Sequence, residues 1–229
     1  MADQTACVAQ IPARAGSKRV PRKNLRLMAD KPMIQHAIEA ALNSKVDSVY
    51  VNSDSDEILR LAESLGAQTF YRSEILANDT ATQDEFNQDF LQQVDCHSMV
   101  LVNPVCPLTS SQLIDSFIDF TRSNNFETCL TTVRHQMHAF FEGKSLNFNS
   151  DDQLPPTQEI SPVEVISWNL AFWTKTLYLT NMEKFGSAST RGKMGLFPVD
   201  PMYAVKVSHE ADFLLAESLL RSRAKYDFQ

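Results

Sequence analysis

The chain has 229 residues, of which 43% are hydrophobic, 21% charged and 9% aromatic. That composition excludes a disordered, collagen-like or low-complexity chain, and the length suffices for a core without disulfide or metal staples. The 21 Lys and Arg against 28 Asp and Glu give a formal charge of −7, which argues against holding nucleic acid through the overall field.

The first half alternates apolar runs with amphipathic helices. Residues 7–11 read as a buried strand. Residues 32–44 read as a helix, because Met33, Ile34, Ala37, Ile38 and Ala41 fall on one face. A strand at 47–52 and a helix at 56–65 follow, with Gly66 placed as the helix C-cap. Residues 68–71 form a short strand. Thr82 and Glu85 have capping-box spacing and open a helix to about Val94. Residues 98–103 read as a buried strand, 110–123 as a helix and 128–134 as a strand. This order predicts a mostly parallel sheet with helices on both faces. The polar stretch from about 137 to 160 breaks the pattern and reads as an inserted hairpin, a candidate dimer contact. Strand-like runs return at 163–173 and around 204–207, and a final helix spans about 211–223. One domain, 1–229, is expected.

No run approaches the roughly 20 apolar residues that cross a bilayer. The opening residues lack the basic start and apolar core of a secretory signal. Cys7, Cys96, Cys106 and Cys129 are far apart and form no CxxC pair, which suggests reduced thiols. The expectation is a cytoplasmic protein bound to neither membrane nor nucleic acid.

Residues 11–24, IPARAGSKRVPRKN, follow the first strand directly. They hold Arg14, Lys18, Arg19, Arg22 and Lys23, five of the 21 basic residues in an acidic chain. The carboxyl end of a parallel strand is where α/β sheets bind ligands. Gly16 and Ser17 let backbone N–H groups approach an anion, Arg offers a fork matched to phosphate, and Lys offers a point charge. The chemistry indicated is polyphosphate binding and offsetting the charge of a departing pyrophosphate. A solvated basic loop is the competing reading, and the Walker A pattern is absent.

The IPARAGSK…PRKN opening resembles the nucleotide-binding loop of the CMP-acylneuraminate (sialic acid) synthetases. This cytidylyltransferase superfamily also includes relatives acting on pseudaminic, legionaminic and deoxyoctulosonic acids. Colinear segments carry the resemblance along nearly the whole chain: VNSDSDEILRLAESLGA at 51–67, RSEILANDTATQDE at 72–85, LVNPVCPL at 101–108, TQEISPVEVISWNLAFW at 157–173 and AVKVSHEADFLLAE at 204–217. The resemblance implies a three-layer, Rossmann-like α/β nucleotidyltransferase fold and a homodimer. It implies transfer of CMP from CTP to the anomeric hydroxyl of an acidic α-keto sugar, with pyrophosphate leaving and Mg²⁺ as cofactor. By position, Arg14 and Lys18 would be catalytic. Ala13, Arg14, Gly16, Ser17, Lys18, Asn24, Asp79, Thr80 and Asn103 would line the nucleotide site. Asn103, Gln158 and Asn169 would face the acceptor.

The departures are as specific. The family pattern closes on two metal-binding aspartates, where this chain has Lys206 and Ser208. Lysine does not ligate Mg²⁺ at neutral pH, and a lone serine is a poor site for a hard cation. Three readings stay open: a metal held mainly by CTP and water, Lys206 replacing part of the metal's charge, or a homologue that binds nucleotide without catalysis. On the acceptor side Asn103, Val105, Cys106 and Thr109 replace the family's Gln, Thr, Ser and Arg. Thr157 replaces an arginine, and Leu170 replaces a glycine between Trp168 and Trp173. A different acceptor, such as a phosphonate, is a further alternative. His135 and His138 read as a strand end rather than a metal pair. His209 reads as a surface residue and Cys106 as a buried thiol. Phe126, Phe140, Phe141 and Phe148 read as core or dimer surface, and the residues after 221 as a frayed helix end.

Overall fold

The computed structural model describes residues 6–16 and 19–226. In chain order its elements are β1 (Cys7–Pro12), β2 (Leu27–Met28), β3 (Lys31–Pro32), α1 (Met33–Leu42), β4 (Ser48–Ser53), α2 (Asp56–Ser64) and β5 (Gln68–Tyr71). Then come α3 (Glu74–Ala77), α4 (Gln83–Gln93), β6 (Ser98–Val102), α5 (Ser111–Ser123), β7 (Thr128–His135), β8 (Phe140–Phe141) and β9 (Lys144–Ser145). The chain finishes with β10 (Val163–Thr174), α6 (Lys175–Phe185), β11 (Met194–Pro198) and α7 (Glu210–Tyr226).

Seven strands form one sheet in the order β11-β7-β10-β6-β1-β4-β5. Strand β10 alone runs antiparallel to its neighbours. The sheet separates two apolar layers, which gives the expected three-layer α/β arrangement. Cys7, Ala9 and Ile11 of β1 face one layer with the apolar sides of α1, α2 and α5. Val8 faces the other, with Phe90 and Leu91 of α4 and Tyr178 and Met182 of α6. Both layers explain why the central strands are apolar without alternation.

Local chemistry sets the helix ends. Ser55 Oγ accepts from Ile58 N–H at 3.4 Å at the start of α2, and Ser110 Oγ accepts from Leu113 N–H at 3.2 Å at the start of α5. Gly66 follows α2 with φ +93°, a conformation that glycine takes without a Cβ penalty. The 137–160 excursion contains the β8–β9 hairpin.

Three features differ from the sequence expectation. Helix α6 and strand β11 were not expected, and residues 204–207 do not form a strand. Helix α6 has no clean apolar stripe in KTLYLTNMEKF: only Tyr178, Asn181 and Met182 are buried. Strand β11 is a five-residue edge strand with one buried residue, Gly195. Residues 201–204 turn, and the segment after them is held by single bonds rather than by a ladder. One of these is Val207 N–H to the Val105 carbonyl at 2.8 Å.

The chain reverses direction across the sheet at β1. After β1 it builds β4 and β5 on one side, then crosses to place β6 on the other. The carboxyl end of β1 is therefore a topological switch point, where such sheets open a crevice.

The start of α4 offers a direct test of local sequence control. Thr82 Oγ1 accepts from Glu85 N–H at 3.2 Å while Glu85 Oε2 accepts from Thr82 N–H at 2.7 Å. Thr82→Ala is expected to lower unfolding free energy by about 1 kcal/mol in urea denaturation. An unchanged midpoint would show that packing alone holds this end.

Candidate functional site

The crevice beyond β1 is a cleft of about 610 Å³, within the size range of small-ligand sites. One wall is the loop after β1, contributing Pro12, Arg14, Gly16, Arg19, Lys23 and Asn24. A second wall is Pro104 and Val105 after β6, and a third is Lys206, Val207 and Ser208 before α7. Asp79 contributes the one carboxylate among the described lining residues.

The loop is anchored at several points. Ala13 N–H donates to the Asn52 carbonyl at 2.9 Å, and Ala15 N–H donates to Asp54 Oδ1 at 2.8 Å. Farther along, Lys23 Nζ donates to the Val207 carbonyl at 2.9 Å. Beneath it lies a small apolar cluster in which Val20, Met28 and Met33 pack on Val207, Phe213 and Ala216. The loop and the segment before α7 are thus one packed unit.

The cations divide by partner. Arg22 forms a bidentate pair with Glu57 at 2.6 and 2.8 Å and turns toward α2. Arg26 pairs with Glu210 at 2.6 and 2.7 Å and lies over the Phe213 ring. Arg14 bonds to Asp79 at 2.9 Å on the rim. Arg19, Lys23 and Lys206 line the cleft. Burial, and then the charges of Arg19, Lys206 and Arg14, push the Lys23 ammonium below its ordinary pKa. A bound anion would relieve that repulsion.

Of the expected site residues, Arg14, Gly16, Asn24 and Asp79 come together in the cleft. Ser17 and Lys18 lie outside the described residues. Ala13 is buried behind the loop. Asn24 is 7% exposed, donates from Nδ2 to the Arg14 carbonyl at 3.2 Å, and has no partner for Oδ1. That oxygen is available to a donor on a ligand. Thr80 is exposed, and its hydroxyl bonds to Asn78 Oδ1 at 2.8 Å. Asn103 N–H donates to the Asn169 carbonyl at 3.0 Å, just beyond the cleft floor. Asn169 is fully buried, donates from Nδ2 to the Tyr203 carbonyl, and leaves Oδ1 without a partner. Gln158 is exposed on a short 3-10 turn and is not among the lining residues.

Sequence reasoning missed the support behind the loop. Arg72 is 3% exposed, donates from Nε to Asn52 Oδ1 at 2.8 Å and from its terminal nitrogen to the Asn52 carbonyl at 3.0 Å. Its guanidinium also lies over the Phe86 ring. Burial pulls its pKa down to about 10, so it remains a cation at neutral pH. Arg72 and Asp54 both sit in segments that carried the family resemblance, which was the available signal. The discounted groups have structural roles. Burial pushes the Cys106 thiol up to about 12. His138 bonds to the Pro155 carbonyl and packs edge-on to Phe148.

Residues 8–181 match the family model described as cytidylyltransferase. The chain belongs to the cytidylyltransferase family. It is similar to N-acylneuraminate cytidylyltransferase B of Danio rerio, 28% identical over 91% of this chain and 50% of that protein. It is also similar to the post-translational flagellin modification protein B of Campylobacter coli, 28% identical over 92% of this chain and 93% of that protein. This cytidylyltransferase-family chain therefore spans half the length of the first relative and nearly all of the second. Among solved structures, a CMP:2-keto-3-deoxy-manno-octonic acid synthetase complexed with CTP superposes with a TM-score of 0.70 at 17% identity. The match covers 96% of this chain and all of that one, and it supports the fold.

The donor set does not fit a protein-held magnesium ion. The wall before α7 offers Lys206 and Ser208, and Asp79 is already bonded to Arg14. Asp212 is turned away from any such role, because its Oδ2 accepts from Ser208 N–H at 2.9 Å and His209 N–H at 2.8 Å. Those two bonds hold its carboxyl below the usual range. Among the described residues, no group of three or more His, Cys, Asp or Glu could hold a metal.

Proposed function

We propose that this chain transfers CMP from CTP to the anomeric hydroxyl of an acidic α-keto sugar of the sialic or deoxyoctulosonic type. The observation that carries the reading is the cationic cleft at the switch point of a cytidylyltransferase-family fold. The acceptor oxygen bonds to the α-phosphorus, and the bond from that phosphorus to the bridging oxygen breaks. Pyrophosphate leaves with the electron pair, and the hydroxyl proton passes to solvent.

In this reading Arg14 and Lys18 hold the triphosphate and stabilise the charge that builds on the departing group, as preorganised cations do in phosphoryl transfer. Ala13, Gly16, Ser17, Asn24, Asp79 and Thr80 shape the nucleotide side, with the free Asn24 oxygen accepting from the nucleoside. Asn103, Gln158 and Asn169 form the acceptor side. The four buried free thiols support a reducing, cytoplasmic setting. In the described residues, no helix is long and apolar enough to cross a membrane.

A second reading, a homologue that binds nucleotide without turnover, is favoured by Lys206 and Ser208. Pyrophosphate release separates the two. With CTP and a panel of nine- and eight-carbon keto acids, at least one acceptor is expected to give CTP-specific release that Arg14→Ala reduces at least tenfold, on the order of one charge-assisted contact. Nucleotide binding with no release from any acceptor would leave the non-catalytic reading standing.

We also propose a homodimer joined through the 137–160 excursion. Phe140, Phe141, Leu146 and Leu154 are each more than half exposed there, an apolar grouping unusual on a monomer. Light scattering should give twice the chain mass, and Phe140→Asp with Phe141→Asp should give the monomer. A monomeric parent chain would contradict this assignment.

A further inference from the structure

The wall before α7 carries a charge of the wrong sign for holding a divalent ion. Lys206 lines the cleft, and no carboxylate of the described residues lies within ion-pair distance of it. Its position is fixed by its neighbour. The Val207 carbonyl accepts from Lys23 at 2.9 Å, and Val207 N–H donates to the Val105 carbonyl at 2.8 Å. The Val207 side chain is fully buried with Val20 and Phe213. Ser208 is held in turn by Asp212. Lys206 therefore projects from backbone pinned to both other walls, unlike a lysine on a mobile surface loop.

The charge balance points the same way. Among the described residues, Arg14, Arg19, Lys23 and Lys206 line the cleft against one carboxylate, that of Asp79. Like charges gathered in a concave site repel, and the cost falls when a polyanion enters. A triphosphate brings such charge, and cations of the loop and of the segment before α7 can meet it together.

Resting on the reading of this cleft as a CTP site, we propose that Lys206 is a built-in counter-charge for the polyphosphate. It takes the electrostatic place that a protein-held divalent cation would occupy, so that tight CTP binding by this chain needs no divalent ion. An ammonium is a point charge with three donors and no acceptor, suited to phosphate oxygens. Its contribution should therefore appear in phosphate affinity and not in recognition of the nucleoside.

Isothermal titration of the whole chain with CTP and with CMP, each in EDTA and in excess Mg²⁺, tests this. The parent is expected to bind CTP in EDTA within about threefold of its affinity in Mg²⁺. Lys206→Met should weaken CTP binding in EDTA by about tenfold or more, the scale of one charge-assisted contact, and leave CMP binding within about twofold. Lys206→Asp should bind CTP only when Mg²⁺ is supplied. Melting of the unliganded variants should not fall below the parent, since Lys206 is exposed and its loss relieves repulsion in the empty cleft. Loss of parent CTP binding in EDTA, or a Lys206→Met variant equal to the parent in EDTA, would overturn the inference. Failure of CTP to bind under either condition would instead remove the CTP reading of the cleft, and the role of Lys206 with it.

Discussion

Mutual repulsion among cations is the constraint around which the site is built. Five basic residues within residues 11–24 would drive an isolated loop apart. The fold pairs some of that charge and fixes the position of another part. Glu57 takes Arg22 out of the cleft, and Asp79 bonds Arg14 at its rim. Lys23 is tied to the Val207 carbonyl, so its charge is directed by backbone from a segment 184 residues away. What remains is a fixed positive surface whose energy falls when an anion arrives. That arrangement costs the empty protein stability and favours the bound state, the general logic of a preorganised electrostatic site.

The architecture places this surface by two devices. The first is the switch point at β1, which opens a crevice where the loop leaves the sheet. The second is α7, which folds back to cover the loop. Phe213 and Ala216 pack on Val20, Met28 and Met33, and Glu217 accepts from Ala29 N–H at 3.1 Å. On the neighbouring side, β10 is interrupted between Ile166 and Ala171, and Thr131 fills the irregularity. Its Oγ1 donates to the Leu170 carbonyl at 3.0 Å and accepts from Leu170 N–H at 3.2 Å. Trp168 adopts φ +59° there, an uncommon conformation for a bulky residue. The bulge re-aims the backbone around Asn169, whose carbonyl accepts from Asn103 just after β6, as strand bulges near sites commonly do.

Much of this was legible in the sequence because local chemistry and tertiary structure agree. The Thr82–Glu85 box, Gly66 and the buried run of β6 each declare themselves in a few residues. The cationic loop is legible for the same reason: charge density and position after a strand are local properties. Helix α6 was not legible, because its burial rests on isolated contacts of Tyr178 and Met182 rather than on a stripe. Strand β11 depends on pairing with β7 at the sheet edge, and Gly195 is buried there against Phe126. The residues around 204–207 alternate like a strand, but they have no partner ladder and serve as a wall of the cleft. Arg72 illustrates the remaining gap: a sequence shows an arginine, while only the fold shows that it is buried against Asn52 and Phe86.

The central claim is that the loop after β1 and the segment before α7 together grip a triphosphate. A crystal structure of the complex with CTP, grown without divalent cations, tests it most directly. The account predicts the phosphates between residues 13–24 and 206–208, with Lys206 Nζ within hydrogen-bond distance of a phosphate oxygen. Phosphates held by the loop alone, with Lys206 turned to solvent, or a nucleotide seated elsewhere on the sheet, would contradict it.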